Sequence, residues 1–298
     1  MRFIHIDEVK PGMKLGKPLY NENEGTILLQ ANVVLKPIYI NRIKEMDYEY
    51  ICIKDSEDPE APLKLDPIRE ETRAKGIKVV RDTMSQLARN AAVDSEHIYK
   101  IIDEILTQIL LDPKVGFDLV QIRNLGNYTF MHSVNVGVIS VLIGSLSNLD
   151  HNQLEILGAG AILHDVGKIT IDPGILNKPD KLSPEEYEIV KGHAKTGFDL
   201  LKTRVNLSFL SAHIAYQHHE REDGSGYPRR LKGNDIHPLA KIVTVADVYD
   251  AMSAPRIFQQ ATPVGQVLNE IIRDTPSKYS PANVDKLVQI VDPDKKFT

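Results

Sequence analysis

The sequence has few of the residues that mark exported proteins. It contains a single cysteine, Cys52, in 298 residues. No disulfide can therefore form within the chain, and a reducing compartment is favoured. The first twelve residues, MRFIHIDEVKPG, are too polar for a signal peptide. We therefore expect a cytoplasmic protein.

An excess of positive charge is also absent. The sequence has 36 Lys and Arg against 41 Asp and Glu, which gives a net charge of −5. This balance argues against binding of a nucleic acid polymer or an acidic membrane through bulk charge. An anionic ligand would need a local cluster of positive charge. At 298 residues, the chain is long enough for about two domains with sizeable cores.

Long hydrophobic runs are missing as well. Residues 124–149 contain no Asp, Glu, Lys or Arg, but Asn, His, Ser and Gly interrupt the segment. It therefore lacks the run of about 18 apolar residues that is typical of a membrane span. We expect a helix buried inside a protein domain, and no membrane partner.

The pattern changes along the chain from β-rich to helical. Residues 1–55 contain short apolar strands and one helix-forming segment that begins at Pro37. Residues 56–67 are rich in proline and acidic residues, a composition typical of a linker. Residues 68–298 show one-sided apolar stripes and a helix-capping signal, in which Ser183 is the N-cap and Glu186 completes a capping box. We therefore predict a mainly α protein, with a small β-rich (α+β) N-terminal domain of unclear role and an all-helical bundle.

Five of the ten histidines fall within or at the end of predicted helices: His132, His164, His193, His218 and His219. A lone histidine on an apolar helical face is usually a hydrogen-bonded core residue. Five of them, together with Asp165 and Asp247, favour a metal site, because imidazole and carboxylate groups on facing helices can bind one cation. For Asp247, a structural salt bridge is the alternative. The other five histidines are expected to have structural or surface positions.

Several motifs follow one another in a specific order. They are HDVGK at 164–168, His193, HHEREDGSGYP at 218–228, VADVYDAM at 245–252, and Arg256. In this order they resemble the HD-GYP family of the HD superfamily of metal-dependent phosphohydrolases. The resemblance covers about residues 132–256, and the N-terminal segment is similar to a small domain often found ahead of HD-GYP domains. It implies an all-α catalytic fold and hydrolysis of the cyclic dinucleotide c-di-GMP.

The resemblance also implies a dinuclear centre of two divalent ions, iron or manganese. One ion would be held by His132, His164, Asp165 and Asp247, and the other by Asp165 as a bridge with His193, His218 and His219. A hydroxide shared by the two ions would attack the phosphodiester. The product would be pGpG, and GMP if hydrolysis continues. Some family members bind a third metal through a glutamate at the position of Tyr128, so no third metal is expected here.

Further residues are predicted to contact the substrate. Lys168 would direct its ammonium group at a phosphate oxygen and act with Asp165 in catalysis. The resemblance adds the loop residues Gly226, Tyr227 and Pro228, and Lys241 and Arg256 are further candidates for phosphate binding. The same loop is implicated in partner contacts in the family, so a diguanylate cyclase (GGDEF) protein is a candidate partner. Homo-oligomerisation is left open.

Two other functions compete with this interpretation. The same metal centre could act on another cyclic dinucleotide or on a phosphomonoester. Alternatively, the chain could be a signalling module that binds c-di-GMP or a partner with little turnover. The sign of such a module would be the loss of a metal ligand or of Lys168, and none of these residues is missing.

Overall fold

The protein is mainly helical, with small sheets near the N-terminus, as the sequence predicts. The computed structural model describes residues 2–21, 26–46, 48, 50–54, 67–111, 128–178, 180–253 and 262–293. Within these ranges the strands are β1 (Arg2–His5), β2 (Lys14–Leu15), β3 (Leu19–Asn21), β4 (Thr26–Leu29) and β5 (Tyr50–Lys54). The helices are α1 (Pro37–Glu45), α2 (Glu70–Ala88), α3 (Glu96–Leu111), α4 (Tyr128–Leu146), α5 (His151–Ile162), α6 (Pro173–Leu176), α7 (Pro184–Arg204), α8 (Phe209–Gln217), α9 (Pro238–Ser253), α10 (Val264–Arg273) and α11 (Pro281–Val291).

The N-terminal strands and α1 enclose a small core of their own. β5 pairs in antiparallel fashion with β1 and β2, and β3 pairs with β4. The side chains of Leu15 and Ile51 are fully buried there, in a cluster separate from that of the helices. Most of the predicted linker, residues 56–66, lies outside the described residues. The domain limits therefore stay predictions.

Helix α4 runs through the centre of the helical part. It packs against α2, α5, α9 and α11, and its Val134, Ile139 and Ile143 side chains are fully buried. By length and composition alone, Thr129–Leu146 could cross a membrane, but 78% of this window is buried inside the protein. That burial is typical of a core helix, as the interrupted apolar pattern predicts.

Helix ends position four of the candidate ligands, His164, Asp165, His218 and His219. α5 ends at Ile162, and the chain turns through His164 and Asp165 into a 3₁₀ segment at Val166–Thr170. α8 ends at Gln217, so His218 and His219 follow its last turn. α7 begins with the predicted capping box, in which Ser183 and Glu186 each bind the other's backbone N–H. These caps fix where α7 starts and hence where His193 lies along it.

Candidate metal centre

Seven predicted side chains lie together among the helices. Their ligand atoms form two groups, each within a 4.8 Å span: Asp165, His193, His218 and His219 in the first group, and His132, His164 and Asp247 in the second group. All are buried except His219, which is partly exposed. The fold therefore assembles the set that the resemblance implies, while the role of each residue as a ligand stays a prediction.

Asp165 lies between the two groups and offers one carboxylate oxygen to each. Its Oδ1 is 3.3 Å from His193 Nε2 and 3.9 Å from His218 Nε2. Its Oδ2 is 3.4 Å from His164 Nε2 and 3.9 Å from His132 Nε2. A carboxylate in this position can bind two cations at once.

Backbone hydrogen bonds set the tautomer of three histidines. The Nδ1 atoms of His164, His193 and His218 lie 2.6–2.8 Å from the carbonyl oxygens of Ala161, Val190 and Ala215, three residues earlier in each case. A carbonyl oxygen only accepts, so each Nδ1 carries the proton. In the neutral rings, each Nε2 therefore presents a lone pair to the centre.

A bound cation would stabilise these lone pairs. The Nε2 atoms of His193 and His218 are only 3.3 Å apart. His164 Nε2 and Asp165 Oδ1 are buried and form no hydrogen bond with any described residue. Buried acceptors without donors are costly unless a positive ion binds them. The mixed imidazole and carboxylate set suits a divalent transition metal, so the residues present fit a metal centre.

Protonation differs between the two groups. Burial lowers the pKa of His193, and burial together with neighbouring ring charges holds the pKa values of His218 and His219 well below the usual histidine value. Burial opposes ionisation of Asp165, but Lys168 and nearby histidines outweigh it and keep the Asp165 pKa well below its usual range. The group of Asp165, His193, His218 and His219 is therefore already deprotonated near neutral pH, as metal ligands must be.

The pKa of His132 is shifted in the opposite direction. Its Nε2 is 3.2 Å from Asp247 Oδ1, and its Nδ1 is 2.7 Å from Asp250 Oδ2. Burial disfavours the charged ring, but the hydrogen bonds and charges of Asp247 and Asp250 outweigh burial and raise the pKa of His132 to about 10. In the absence of a cation, His132 therefore keeps a proton that a metal ion must displace.

We expect cation binding at the group of His132, His164 and Asp247 to release about one proton at pH 7. Since the raised pKa of His132 keeps its ring protonated up to about pH 10, affinity should rise roughly tenfold per pH unit below that value. Binding at the other group should change little over the neutral range. Calorimetric titration with Mn²⁺ in two buffers of different ionisation enthalpy measures the released proton. A binding enthalpy that is the same in both buffers would contradict the assignment.

The predicted phosphate-binding residues have different surroundings. Lys168 Nζ lies 2.5 Å from Asp165 Oδ2 and is partly exposed, so its charge is at the edge of the centre. Lys241 Nζ instead forms an ion pair with Glu222 at 2.9 Å. Arg256 lies outside the described residues. The structure thus brings Lys168 to the centre, whereas Lys241 pairs with a carboxylate of the loop between α8 and α9.

The loop after His219 is folded around one carboxylate that sequence analysis did not single out. Glu220 is buried, and its two oxygens accept hydrogen bonds from the backbone N–H groups of Arg229 and Leu231 at 2.8 and 2.9 Å. A Cβ atom on Gly226 would lie 2.4 Å from the His219 carbonyl oxygen, so only glycine fits this approach. The glutamate in HHE is the available sequence signal, because it directly follows two candidate ligands.

The folded loop places Tyr227 beside the centre. The centroid of the Tyr227 ring is 4.6 Å from that of His219 and 6.4 Å from that of His193. Pro228 follows Tyr227 through a cis peptide bond. Tyr227 thus lies beside the centre. The substrate contacts that the resemblance implies for Gly226, Tyr227 and Pro228 stay predictions.

Replacing Glu220 with alanine should lower the free energy of unfolding by about 1–3 kcal/mol, because two backbone N–H groups lose their buried acceptor. Glutamine keeps one acceptor oxygen and should have a smaller effect. Chemical denaturation and amide hydrogen exchange at Arg229 and Leu231 measure these effects. Asp235→Ala, at an exposed position of the same loop, is the control. Unchanged protection of both amides in Glu220→Ala would refute the role of Glu220.

Helices that direct buried histidines and aspartates at a shared cation site define a helical metal-binding domain. A family model described as HD domain matches residues 126–282, more than half of the sequence. The chain therefore belongs to the HD domain family, and the family recognised from the motifs is confirmed.

Similar proteins are known from several bacteria. A cyclic di-GMP phosphodiesterase of Pseudomonas aeruginosa, PA4108, is 34% identical over 169 residues, which are 57% of this chain and 41% of that protein. A cyclic di-GMP phosphodiesterase of Thermotoga maritima is 38% identical over 58% of this chain and 49% of that protein. A 3'3'-cGAMP-specific phosphodiesterase of Vibrio cholerae is 33% identical over 54% of this chain and 31% of that protein. The chain thus spans less than half the length of these relatives.

One solved structure matches almost the whole chain. It is Bd1817, described as an HDG"Y"P protein from Bdellovibrio bacteriovorus, with a TM-score of 0.65 and 17% identity. The match covers 97% of this chain and 98% of that chain. At this identity the likeness shows a shared fold, which includes the N-terminal part.

Proposed function

We propose that this protein is a metal-dependent phosphodiesterase that hydrolyses c-di-GMP to pGpG, and to GMP if hydrolysis continues. The observation that carries the proposal is the pair of ligand groups joined by Asp165. Cyclic di-GMP phosphodiesterases among the similar proteins support the choice of substrate. The cytoplasmic location and the GGDEF partner stay predictions, and homo-oligomerisation stays open.

Two divalent ions, iron or manganese, would be held by the seven residues, with His132, His164 and Asp247 around one, His193, His218 and His219 around the other, and Asp165 shared. Such ions would act as Lewis acids that polarise the phosphodiester, and they would lower the pKa of bound water. Burial opposes ionisation of Asp247, but His132 and neighbouring histidines outweigh it and keep the Asp247 pKa well below its usual range. Ionised Asp165 and Asp247 and neutral His218 and His219 fit this use. Ligand softness suits iron and manganese equally.

The chain's own residues would then position the substrate. The Lys168 ammonium, next to Asp165, lies where it can meet a phosphate oxygen and stabilise charge that develops during cleavage. Tyr227, held against His219 by the loop that Glu220 closes, offers a ring face to the nucleotide. Exposed Arg229 and Arg230 add positive charge to an otherwise acidic protein.

Incubation of the purified protein with c-di-GMP under anaerobic conditions, after loading with Fe²⁺ or Mn²⁺, tests the proposal. Chromatography should show pGpG or GMP from the wild type and intact substrate from Asp165→Ala. Asp199→Ala, on an exposed part of α7, is the matched control and should retain activity. Intact c-di-GMP with both metals bound would overturn the proposal and favour a binding module without turnover.

A second substrate merits a parallel reaction. Several similar proteins are 3'3'-cGAMP-specific phosphodiesterases, at 32–37% identity. The same centre would serve either cyclic dinucleotide, since both present a 3'–5' phosphodiester to the metals. Hydrolysis of 3'3'-cGAMP with no hydrolysis of c-di-GMP would assign the chain to the second substrate.

A further inference from the structure

His132 is oriented differently from the other candidate ligands. His164, His193 and His218 each donate from Nδ1 to a carbonyl of their own chain segment. The Nδ1 of His132, on α4, lies 2.7 Å from the carboxylate of Asp250 on α9. Its orientation and tautomer therefore depend on another helix, which makes them sensitive to packing.

The contact between His132 and Asp250 continues as a series of buried hydrogen bonds. Asp250 Oδ1 accepts a hydrogen bond from Asn135 Nδ2 at 2.9 Å, and Asn135 Oδ1 accepts one from Arg73 Nη1 at 2.8 Å. Asp250, Asn135 and Arg73 are 6%, 4% and 2% exposed, respectively. A buried carboxylate needs hydrogen bonds and nearby positive charge, and Arg73 on α2 brings a positive charge to this network through its hydrogen bond to Asn135.

This series of contacts extends to the N-terminal part of the protein. Arg73 Nε is 3.8 Å from Glu70 Oε2, and Glu70 Oε1 accepts a hydrogen bond from Lys17 Nζ at 2.9 Å. Lys17 lies between β2 and β3, and both members of this last ion pair are partly buried. An unbroken series of contacts thus runs from the N-terminal part to a candidate ligand.

We propose that Asp250, Asn135 and Arg73 are positioning residues for His132. In this proposal, Glu70 and Lys17 couple the packing of the N-terminal part to the affinity of the group of His132, His164 and Asp247 for a metal ion. As an acceptor, Asp250 keeps the proton of a neutral His132 on Nδ1 and leaves Nε2 for the cation. Arg73 orients Asn135, which in turn donates to the Asp250 carboxylate. Without Lys17, Glu70 loses its other cationic partner and is expected to bind Arg73 more strongly. This would weaken the hydrogen bond from Arg73 to Asn135. The proposal requires the metal centre but no particular substrate.

Titration of the full-length protein with Mn²⁺ alone, without nucleotide, tests the positioning role of Asp250. In Asp250→Asn the amide can donate to His132 Nδ1, so the ring proton moves to Nε2. One of two ions should then bind about 10- to 100-fold more weakly, a range typical of lost outer-shell partners, while the other is unaffected. Co²⁺ absorption spectra should show the loss of one nitrogen ligand at matched loading.

Asp82→Asn is the control, because Asp82 forms a surface ion pair on α2 outside the chain of contacts. It should bind both ions like the wild type. Thermal unfolding of each metal-free variant shows whether it is folded before titration. Unchanged affinities and spectra in folded Asp250→Asn would overturn the positioning role. If Asp250→Asn does not fold, Arg73→Lys, which keeps the charge, replaces it with the same expected weakening of one ion.

Lys17→Met tests the coupling to the N-terminal part. One ion should bind about two- to fivefold more weakly, in line with loss of a partly exposed ion pair, and Lys17→Arg should restore the affinity. Lys75→Met is the matched control, because it breaks ion pairs with Glu71 and Glu104 that do not lead to His132. Wild-type affinity in Lys17→Met, or the same loss in Lys75→Met, would overturn the coupling. Since no nucleotide is present, neither result depends on the proposed phosphodiesterase activity.

Discussion

Replacing Asp165 with alanine is expected to prevent binding of the two proposed metal ions and to reduce the proposed phosphodiester hydrolysis by about a thousandfold or more. The side chain is 1% exposed and directs one oxygen at each ligand group. Its loss leaves His132, His164, His193 and His218 without the shared anion between them. Cations at such a centre contribute several kcal/mol of charge stabilisation, which corresponds to this loss in rate.

Metal content by mass spectrometry, measured beside the rate, separates the two parts of this prediction. Asp199→Ala removes a carboxylate of similar size from an exposed ion pair with Lys195 on α7. It should keep the metal content and rate of the wild type. An Asp165→Ala protein that still holds two ions would show that Asp165 is not shared between them.

Replacing Gly167 with alanine should lower the free energy of unfolding by about 3 kcal/mol, the upper end of typical overpacking costs. A Cβ atom there would lie 2.0 Å from the His193 carbonyl oxygen and 2.5 Å from the Gly197 backbone nitrogen. Backbone atoms cannot rotate away as a side chain can. The turn after Asp165 and helix α7 would therefore separate, and His193 would move away from Asp165.

Gly192→Ala, on α7 itself, is the control for this substitution. No atom lies within 4 Å of its added Cβ, and glycine inside a helix is about 0.5–1 kcal/mol less favourable than alanine. The control should therefore unfold at a higher denaturant concentration than the wild type. Equal stability of Gly167→Ala and the wild type would refute the close-packing argument.

The elements of this fold could be predicted because their signals are local. Helical stripes, the Pro37 start and the Ser183 cap depend on residues within a few positions of each other, and all three appear in the structure. The convergence of His132 and His193 followed from the same periodicity, because apolar helical faces turn inward. His164, His218 and His219 instead lie just after the ends of α5 and α8.

Other features of the site had no local signal. Asp250 lies three residues after Asp247, so the D-x-x-D spacing in an apolar helix could have indicated a second inward carboxylate. No spacing shows that it meets His132, 118 residues away in sequence, or that Asn135 connects it to Arg73. The pairing of Lys241 with Glu222 was equally hidden.

The sequence by itself determined the family, the mainly α fold and the set of residues that could bind metal, because motif order and periodicity are properties of the chain. Only the tertiary structure decided how these residues share protons and charge. It placed Asp165 between two groups, left lone pairs of His193 and His218 facing each other, and gave His132 a carboxylate partner. Hydrogen bonds, burial and charge act through distance in space, and that distance exists only once the helices have packed.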